Sequence, residues 1–255
     1  MFHGLRACEA LFAKRPTEII RVYVSLGRQK QLATLLAWSA KEKKGYQIVA
    51  DDSLERLTKS IHHEGVAILA RQIVRWDLAA LLARVAPTKP RPTAQTGTAV
   101  GTVVGTPPLL YLDGVHNPHN LGSILRTAAH FGVGAVIGKA GDLPPLSPAA
   151  VRVAEGAAEH VPVCDLIDPA RDLDRLKQAG YQVVVTSSRR GESLFATQLG
   201  PRVVLVLGSE GEGVSRSIDA LADRRVMIPG TAAVESLNVS VACGIVLAEA
   251  WRAKK

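Results

Sequence analysis

A polar loop followed by a helix carries the residues of this sequence that are best suited to chemistry. Segment 112–132 runs from an apolar strand through a loop containing Asn117 and Asn120 into a helix that ends at Gly132. One face of that helix is apolar, with Leu121, Ile124, Leu125, Ala128 and Ala129 at helical spacing. Arg126 lies off this face, more than a turn inside the helix, where it could be an ordinary solvated arginine. Because it follows the carboxyl end of a strand, where open α/β sheets bind ligands, we favour a functional role.

A second segment joins a buried strand to a glycine-rich loop. The continuous apolar run Val203–Leu207 is typical of a strand buried on both faces of a parallel sheet. Gly208, Gly211 and Gly213 follow, with Glu210 among them. Glycines permit backbone angles and a close ligand approach that a Cβ would block. The segment is therefore predicted to hold a ligand through its main chain.

A third segment places polar residues in front of a helix predicted over 237–251. A short strand ends near Ile228, and a loop leads to Ser236 and Asn238. Ser236 is either a plain helix N-cap or a site residue. Asn238 stands between Leu237 and Val239, and a polar side chain in apolar surroundings needs a partner, which favours a functional interpretation.

Together these segments resemble the SpoU/TrmH family of RNA ribose 2′-O-methyltransferases, within the SPOUT superfamily. Asn120 and Arg126 match the family's Asn-(five residues)-Arg motif, residues 208–213 match Gly-x-Glu-Gly-x-Gly, and residues 236–240 match Ser-Leu-Asn-Val-Ser. The resemblance covers about residues 108–250, and the three motifs in this order are specific. Residues 117–132 and 151–163 are similar to a bacterial subgroup described as probable tRNA or rRNA methyltransferases.

The resemblance implies transfer of a methyl group from S-adenosyl-L-methionine to a ribose 2′-hydroxyl of rRNA or tRNA, without a metal. It assigns the transfer site to Asn120, Arg126, Glu210, Ser236 and Asn238. Cofactor binding falls to Leu207, Gly208, Glu210, Gly211, Gly213, Ile228, Leu237 and Val239. RNA contacts are expected from Arg126, Arg152, His116 and His119. An arginine base is chemically awkward because a guanidinium holds its proton, so we expect Arg126 to stabilise the developing alkoxide electrostatically.

Alternating strands and helices from residue 108 onward predict an α/β fold with a mostly parallel sheet covered by helices. The resemblance adds a C-terminal trefoil knot and a homodimer. Residues 1–86 are expected to form a small α/β RNA-binding domain similar to a ribosomal protein, and residues 108–255 the methyltransferase domain. The proline-rich segment 87–107 between them is predicted to be a flexible linker that lets the two domains move when no RNA is bound.

Two details of the first domain depend on local patterns. Val22 and Val24 alternate with Arg21 and Tyr23, which predicts a strand with Tyr23 on its polar face. A helix is expected over 54–61, with Asp52 or Ser53 as its cap.

The positive charge of the chain is concentrated near its beginning. The 255 residues carry a net charge of +8. Residues 1–90 contain 15 Lys and Arg against 8 Asp and Glu, whereas residues 91–255 contain 16 against 15. A basic excess in one segment indicates a polyanion-binding module. The alternative is that Lys41, Lys43 and Lys44 only solubilise a helix end.

Several other classes of function are disfavoured. No apolar run reaches the roughly 18 residues of a membrane helix, and no signal-peptide pattern is present, which predicts a cytoplasmic location. Cys8, Cys164 and Cys243 lack paired spacing, and the adjacent His62 and His63 lack metal-ligand spacing. The glycine loop lacks the third glycine of a dinucleotide-binding motif, which disfavours an oxidoreductase. The main alternative is a noncatalytic RNA-binding protein that retains the methyltransferase fold.

Overall fold

The computed structural model describes residues 1–86, 106–231 and 233–252. They form two compact units, each built from several stretches of chain. The first contains Met1–Val74, Pro118–Arg126 and Pro145–His160. The second contains Arg75–Asn117, Thr127–Pro144 and Val161–Lys255. Residues 87–105, which make up nearly all of the predicted linker, lie outside the described residues.

A four-stranded sheet organises the first unit. Its strands lie in the order β1 (Phe2–His3), β4 (Val66–Ala70), β2 (Ile19–Ser25) and β3 (Gly45–Val49). β2 and β3 are parallel, and the other neighbours are antiparallel. The helices α1 (Leu5–Lys14), α2 (Ala33–Lys41) and α3 (Asp51–Thr58) connect these strands. Cys8 and Leu11 of α1 are fully buried, as an amphipathic helix requires.

Two predictions for the first unit are wrong, one about a strand and one about a helix. Tyr23 is buried, in a cluster with Leu54 of α3 and Ala67 of β4, because this part of β2 is covered on both faces. The helix predicted over 54–61 instead begins at Asp51. Its N-cap is Ala50, which makes no side-chain cap, so neither Asp52 nor Ser53 is the cap.

The segment 145–160 belongs to the first unit because it packs closely against α1. It contains α6 (Pro148–Val153) and a 3-10 turn, Ala157–Glu159. Arg15 donates two hydrogen bonds to Glu159, from Nε at 2.6 Å and from Nη2 at 2.8 Å. A Cβ added to Gly156, whose φ is +86°, would lie 2.7 Å from the Cβ of Ala10. These contacts join parts of the chain more than 140 residues apart in sequence.

A parallel sheet of seven strands forms the second unit. The strand order is β7 (Val163–Leu166), β6 (Ala135–Lys139), β5 (Leu109–Asp113), β10 (Val203–Gly208), β8 (Gln182–Thr186), β11 (Arg224–Met227) and β9 (Glu192–Ser193). All paired neighbours are parallel. The predicted α/β fold with a mostly parallel sheet is therefore confirmed.

The helices of this unit are α7 (Pro169–Gln178), α8 (Arg216–Asp219), α9 (Val239–Arg252) and α4 (Leu78–Val85). The sequence analysis did not predict α4. Asp77 caps it by accepting a hydrogen bond from the Ala80 amide, and Leu81 is buried in the core of the sheet. None of the helices in the described residues is long and apolar enough to cross a membrane.

Candidate active site

The helix α5 (Pro118–His130) carries Arg126, as the sequence predicts. It begins earlier than predicted, so Asn120 lies in its first turn and not in the preceding loop. Its apolar face is buried at Leu121, Ile124 and Leu125. Arg126 is exposed, and its guanidinium forms no ion pair with the residues that the structure describes. Asn120 is half-buried and held by contacts within the protein. The arginine is thus a charge on a rigid element, reachable by a ligand.

The helices α5 and α6 make a close backbone contact within the first unit. A Cβ on Gly122 would lie 2.5 Å from the carbonyl oxygen of Ala150 and 2.9 Å from the Cβ of Val153. Arg152 lies on this α6 helix, where its Cγ would be 3.2 Å from a Cβ on Gly4. The structure therefore brings the helix with Arg152 against the helix with Asn120 and Arg126. The half-buried side chain of Arg152 also packs on the N-terminal sheet.

In the second unit, the glycine loop after β10 is tightly folded. Ser209 and Gly213 exchange backbone hydrogen bonds of 3.1 and 3.2 Å. A Cβ on Gly208 would lie 2.1 Å from the carbonyl carbon of Gly213, so the turn excludes any side chain there. Gly213 has φ +72°, a conformation that favours glycine. Gly211 has neither constraint, because no atom lies within 4 Å of its added Cβ.

Glu210 and Asn238 join this loop to the start of α9. The Asn238 Nδ2 donates to Glu210 Oε1 at 2.6 Å, and the Val239 amide donates to the same oxygen at 3.4 Å. The Asn238 Oδ1 accepts from the Ser240 amide at 3.0 Å, which makes Asn238 the cap of the helix. A carboxylate beside a helix N-terminus is favoured by the helix dipole.

The alternative assignment of Ser236 as the helix N-cap is wrong. The helix predicted over 237–251 begins at Val239, so Asn238 takes the capping position and Ser236 remains exposed in the preceding loop. Of the apolar candidates, Leu207 and Val239 are buried, Ile228 is half-buried, and Leu237 is 41% exposed.

The histidines near α5 are both exposed. His116, in the second unit, pairs its Nδ1 with the carbonyl oxygen of Asp142 at 2.9 Å. His119 lies on α5 in the first unit and also has contacts within the protein. In the described part of the chain, no group of three or more His, Cys, Asp or Glu side chains could hold a metal ion.

Asp113 makes a contact with the glycine loop that the sequence analysis missed. It ends β5, where it pairs in register with Gly208 at the end of β10. Its Oδ2 accepts a hydrogen bond from the Ser215 amide at 2.7 Å, which fixes the far end of the glycine loop. The only signal in the sequence is an acidic residue at the end of an apolar strand.

The sequence analysis also missed a group of ion pairs, one of which lies beside the loop that contains Ser236. Arg189, in the loop after β8, forms an ion pair with Glu235 and lowers the pKa of that carboxyl group. The neighbouring Arg190 and Arg225 both pair with Asp219 of α8, at 3.0 and 2.9 Å. These arginines tie the loops at the ends of β8 and β11 together. Their positions depend on strand order, which sequence patterns do not give.

Comparison with known proteins identifies both parts of the chain. Residues 107–248 match the SpoU rRNA Methylase family, and residues 2–73 match the family described as RNA 2'-O ribose methyltransferase substrate binding. The tRNA/rRNA methyltransferase YfiF of Escherichia coli O157:H7, described as uncharacterized, is 38% identical over 99% of this chain and 68% of its own length.

Two further similar proteins extend this comparison. The 23S rRNA (guanosine-2'-O-)-methyltransferase RlmB of a Burkholderia species is 37% identical over 99% of this chain and 96% of its own length. The SpoU methyltransferase AviRb of Streptomyces viridochromogenes, solved with AdoMet, shares the fold with a TM-score of 0.73. It is 21% identical over 99% of this chain and 89% of its own. The resemblance drawn from the three motifs is confirmed: the chain belongs to the SpoU rRNA methylase family.

Proposed function

We propose that this chain transfers a methyl group from S-adenosyl-L-methionine to a ribose 2′-hydroxyl of rRNA or tRNA. Its family membership and its similarity to an RNA 2′-O-methyltransferase over nearly the whole chain support this function. The observation that carries it is the 2.6 Å hydrogen bond between Asn238 and Glu210. It joins the second and third sequence motifs in one polar cluster beside a main-chain cradle.

The residues after β10 and β11 fit the adenosine part of such a cofactor. The turn at Gly208 leaves no room for a side chain, so the loop presents its backbone. Leu207 and Val239 give buried apolar surface, and Ile228 is half-buried. The remaining proposed contacts come from Glu210, Gly211, Gly213 and Leu237. When bound, the cofactor supplies a methyl group activated by a sulfonium.

Arg126 is the proposed catalytic group on the RNA side. Its exposed guanidinium cannot serve as a base near neutral pH, because it holds its proton. A fixed positive charge does stabilise the negative charge that develops on the 2′-oxygen. Water or an RNA phosphate accepts the proton. Asn120, six residues earlier on the same helix, orients Arg126 or the ribose, and Ser236 completes the transfer site.

RNA binding is assigned to residues 1–86 as a domain similar to a ribosomal protein, connected through residues 87–107 to a methyltransferase domain at 108–255. The substrate-binding family match at residues 2–73 supports this assignment. Arg152, His116 and His119 are proposed to contact RNA near the transfer site. Of these three residues, Arg152 has the strongest structural support for an RNA contact, because its helix α6 packs directly on α5 through Gly122.

We further propose a cytoplasmic homodimer with a trefoil knot in its C-terminal region. Val234, Leu237 and Val241 lie at and before the start of α9 with 69%, 41% and 51% of their surface exposed. Exposed apolar side chains that lie together on a surface mark interaction sites, and these three fall within eight positions of sequence. Sedimentation at several protein concentrations tests the dimer.

The decisive experiment combines cofactor binding with methylation mapping. Calorimetry with the purified protein should detect S-adenosyl-L-methionine binding. Incubation with 23S rRNA and tRNA from a strain lacking this protein should add 2′-O-methyl groups at defined nucleotides, read by mass spectrometry of nuclease fragments. RNA binding without cofactor binding would instead identify a noncatalytic RNA-binding protein.

A further inference from the structure

One end of the N-terminal sheet carries a cluster of positively charged side chains. β2 and β3 begin at this end, and the antiparallel β4 finishes there. Five cations lie in these three places, and we call them the basic end: Arg21, Lys41, Lys43, Lys44 and Arg71. Two carboxylates, Glu18 and Glu42, lie among them.

Specific contacts bring these cations together. The Arg21 side chain crosses onto the next strand, where its Nε would lie 3.0 Å from a Cβ on Gly45. Lys44 donates from Nζ to the carbonyl oxygen of Thr17 at 3.3 Å. The Arg71 amide donates to the carbonyl oxygen of Glu18 at 3.1 Å. Three separate stretches of sequence therefore form one surface.

The opposite end of the same sheet is electrically neutral. The connections at that end, residues 26–32 and residues 50–65 with α3, carry four cations and four carboxylates. The cations are Arg28, Lys30, Arg56 and Lys59, and the carboxylates are Asp51, Asp52, Glu55 and Glu64. The charge asymmetry is therefore a property of one end of the sheet and not of the whole unit.

Most cations of the basic end have no acidic partner in the part of the chain that the structure describes. Arg21, Lys41 and Lys43 are exposed and form no ion pair there. Arg71 does pair with Glu18, at 3.6 Å, with 78% of the arginine side chain exposed. Exposed pairs of this kind are weak, so this arginine can change partner at little cost. Clustered like charges on a folded surface favour a polyanionic ligand, whose binding releases counterions.

We propose that the basic end is the surface on which the RNA backbone docks, through phosphate contacts. This inference rests on the proposed function, since it names the part of the substrate-binding segment that holds the RNA. Residue Arg15, directly before this surface, is bound to Glu159 in the segment that contains α6. RNA held at the basic end is thereby held on the same compact unit as Asn120 and Arg126.

The chain offers two closely matched triple variants for the test. Arg21→Gln, Lys41→Gln and Lys43→Gln remove one arginine and two lysines from the basic end. Arg56→Gln, Lys30→Gln and Lys59→Gln make the same change at the opposite end. All six side chains are exposed. Each set includes one lysine with left-handed backbone, Lys43 or Lys59, both at φ 54°.

The measurement is the affinity for deproteinised 23S rRNA, and separately for total tRNA, across a range of salt concentrations. Removing one cation that binds a phosphate lowers the slope of log affinity against log salt by about 0.7 to 0.9. The basic-end variant should therefore bind about 100-fold more weakly near 0.1 M salt, with a slope smaller by about 2. The opposite-end variant should stay within a few-fold of the unmodified protein.

Equal losses in the two variants, or a larger loss at the opposite end, would overturn the proposal. Cofactor affinity should be the same for both variants, which separates this result from a general loss of folding. The proposed function fails by a different observation, namely an unmodified protein that neither binds S-adenosyl-L-methionine nor methylates either RNA.

Discussion

The chemical role proposed for Arg126 depends on how its helix is held in place. The buried apolar face of α5 fixes the helix, and Gly122 allows α6 to pack directly on it. The guanidinium itself remains exposed and without an ion pair among the described residues. A charge whose position is set before the substrate arrives needs little reorganisation during the reaction, which is the basis of electrostatic catalysis.

Replacing Arg126 with alanine should therefore reduce methylation strongly while leaving cofactor affinity nearly unchanged. Loss of one preorganised charge or donor at a transition state reduces kcat by about 100- to 1000-fold. Arg126→Lys should recover only part of this loss, because a lysine places its charge differently. Arg171→Ala, which removes an exposed arginine from α7, is the control. Equal loss of cofactor binding and activity in Arg126→Ala would show a structural role.

His3 is a buried residue whose surroundings change its pKa. The imidazole is 3% exposed, and neither ring nitrogen has a hydrogen-bond partner among the described residues. Burial, and then the positive charge of Arg152, lower the pKa of His3 below its usual value near 6.5. His63, His62 and the N-terminal amine contribute in the same direction.

This lowered pKa predicts a loss of stability in mild acid. Below pH 6.5 the unfolded chain binds a proton at His3 and the folded protein does not, so the free energy of unfolding falls as the pH falls toward the folded pKa. His3→Phe keeps a ring of similar size and removes the titration. Urea unfolding between pH 7.5 and 5 should give a flatter pH dependence for His3→Phe. An unchanged pH dependence would contradict the assignment to His3.

At the scale of an element, the loop after β10 contains two glycines that are expected to be needed for different reasons. Gly208→Ala would place a methyl group 2.1 Å from the Gly213 backbone and should cost roughly 1–3 kcal/mol in the free energy of unfolding. Gly211→Ala meets no atom within 4 Å and should leave stability nearly unchanged. If Gly211 serves the close approach of the cofactor, calorimetry will show weaker S-adenosyl-L-methionine binding in Gly211→Ala. Retention of full cofactor affinity would exclude that role.

The elements themselves were largely predictable, and their exact ends were not. The apolar β-branched run 183–185 between polar residues predicts a strand over 182–186, and β8 has those bounds. The start of α9 was placed two residues early, since Ser236 and Asn238 are both good caps and only tertiary contact with Glu210 selects between them. Tyr23 was misassigned because alternation assumes that a strand has one solvated face.

At the scale of the whole molecule, the sequence predicts a parallel sheet but not its strand order. β10 lies between β5 and β8, so strands that are far apart in sequence become neighbours through long crossovers. No local pattern encodes such pairings. The same holds for Asp113, whose contact with the Ser215 amide spans 102 positions of sequence. Long-range contacts of this kind follow from packing, and single-sequence patterns contain little information on them.

The ion pair between Arg15 and Glu159 is a largely buried contact between distant parts of the chain. Glu159 is 2% exposed at its side chain and Arg15 is 22% exposed, and the hydrogen bonds to Glu159 raise the pKa of Arg15. Removing one partner of a buried pair leaves an uncompensated charge, so Glu159→Gln should lower the free energy of unfolding by about 3 kcal/mol. Glu9→Gln, which removes the carboxylate of an exposed pair with Arg6, should change it by less than about 1 kcal/mol.

Replacing both Arg15 and Glu159 tests the cost of an unpaired charge more directly than replacing one of them. Arg15→Met combined with Glu159→Leu leaves no unpaired charge, so the double variant should be more stable than Glu159→Gln alone. Because the pair joins the end of α1 to the segment that carries α6, Glu159→Gln should also increase proteolysis between residues 145 and 160 in the native protein. A single variant as stable as the unmodified chain would show that the N-terminal segment is held to this part of the unit by the contacts around Gly156 and not by the ion pair.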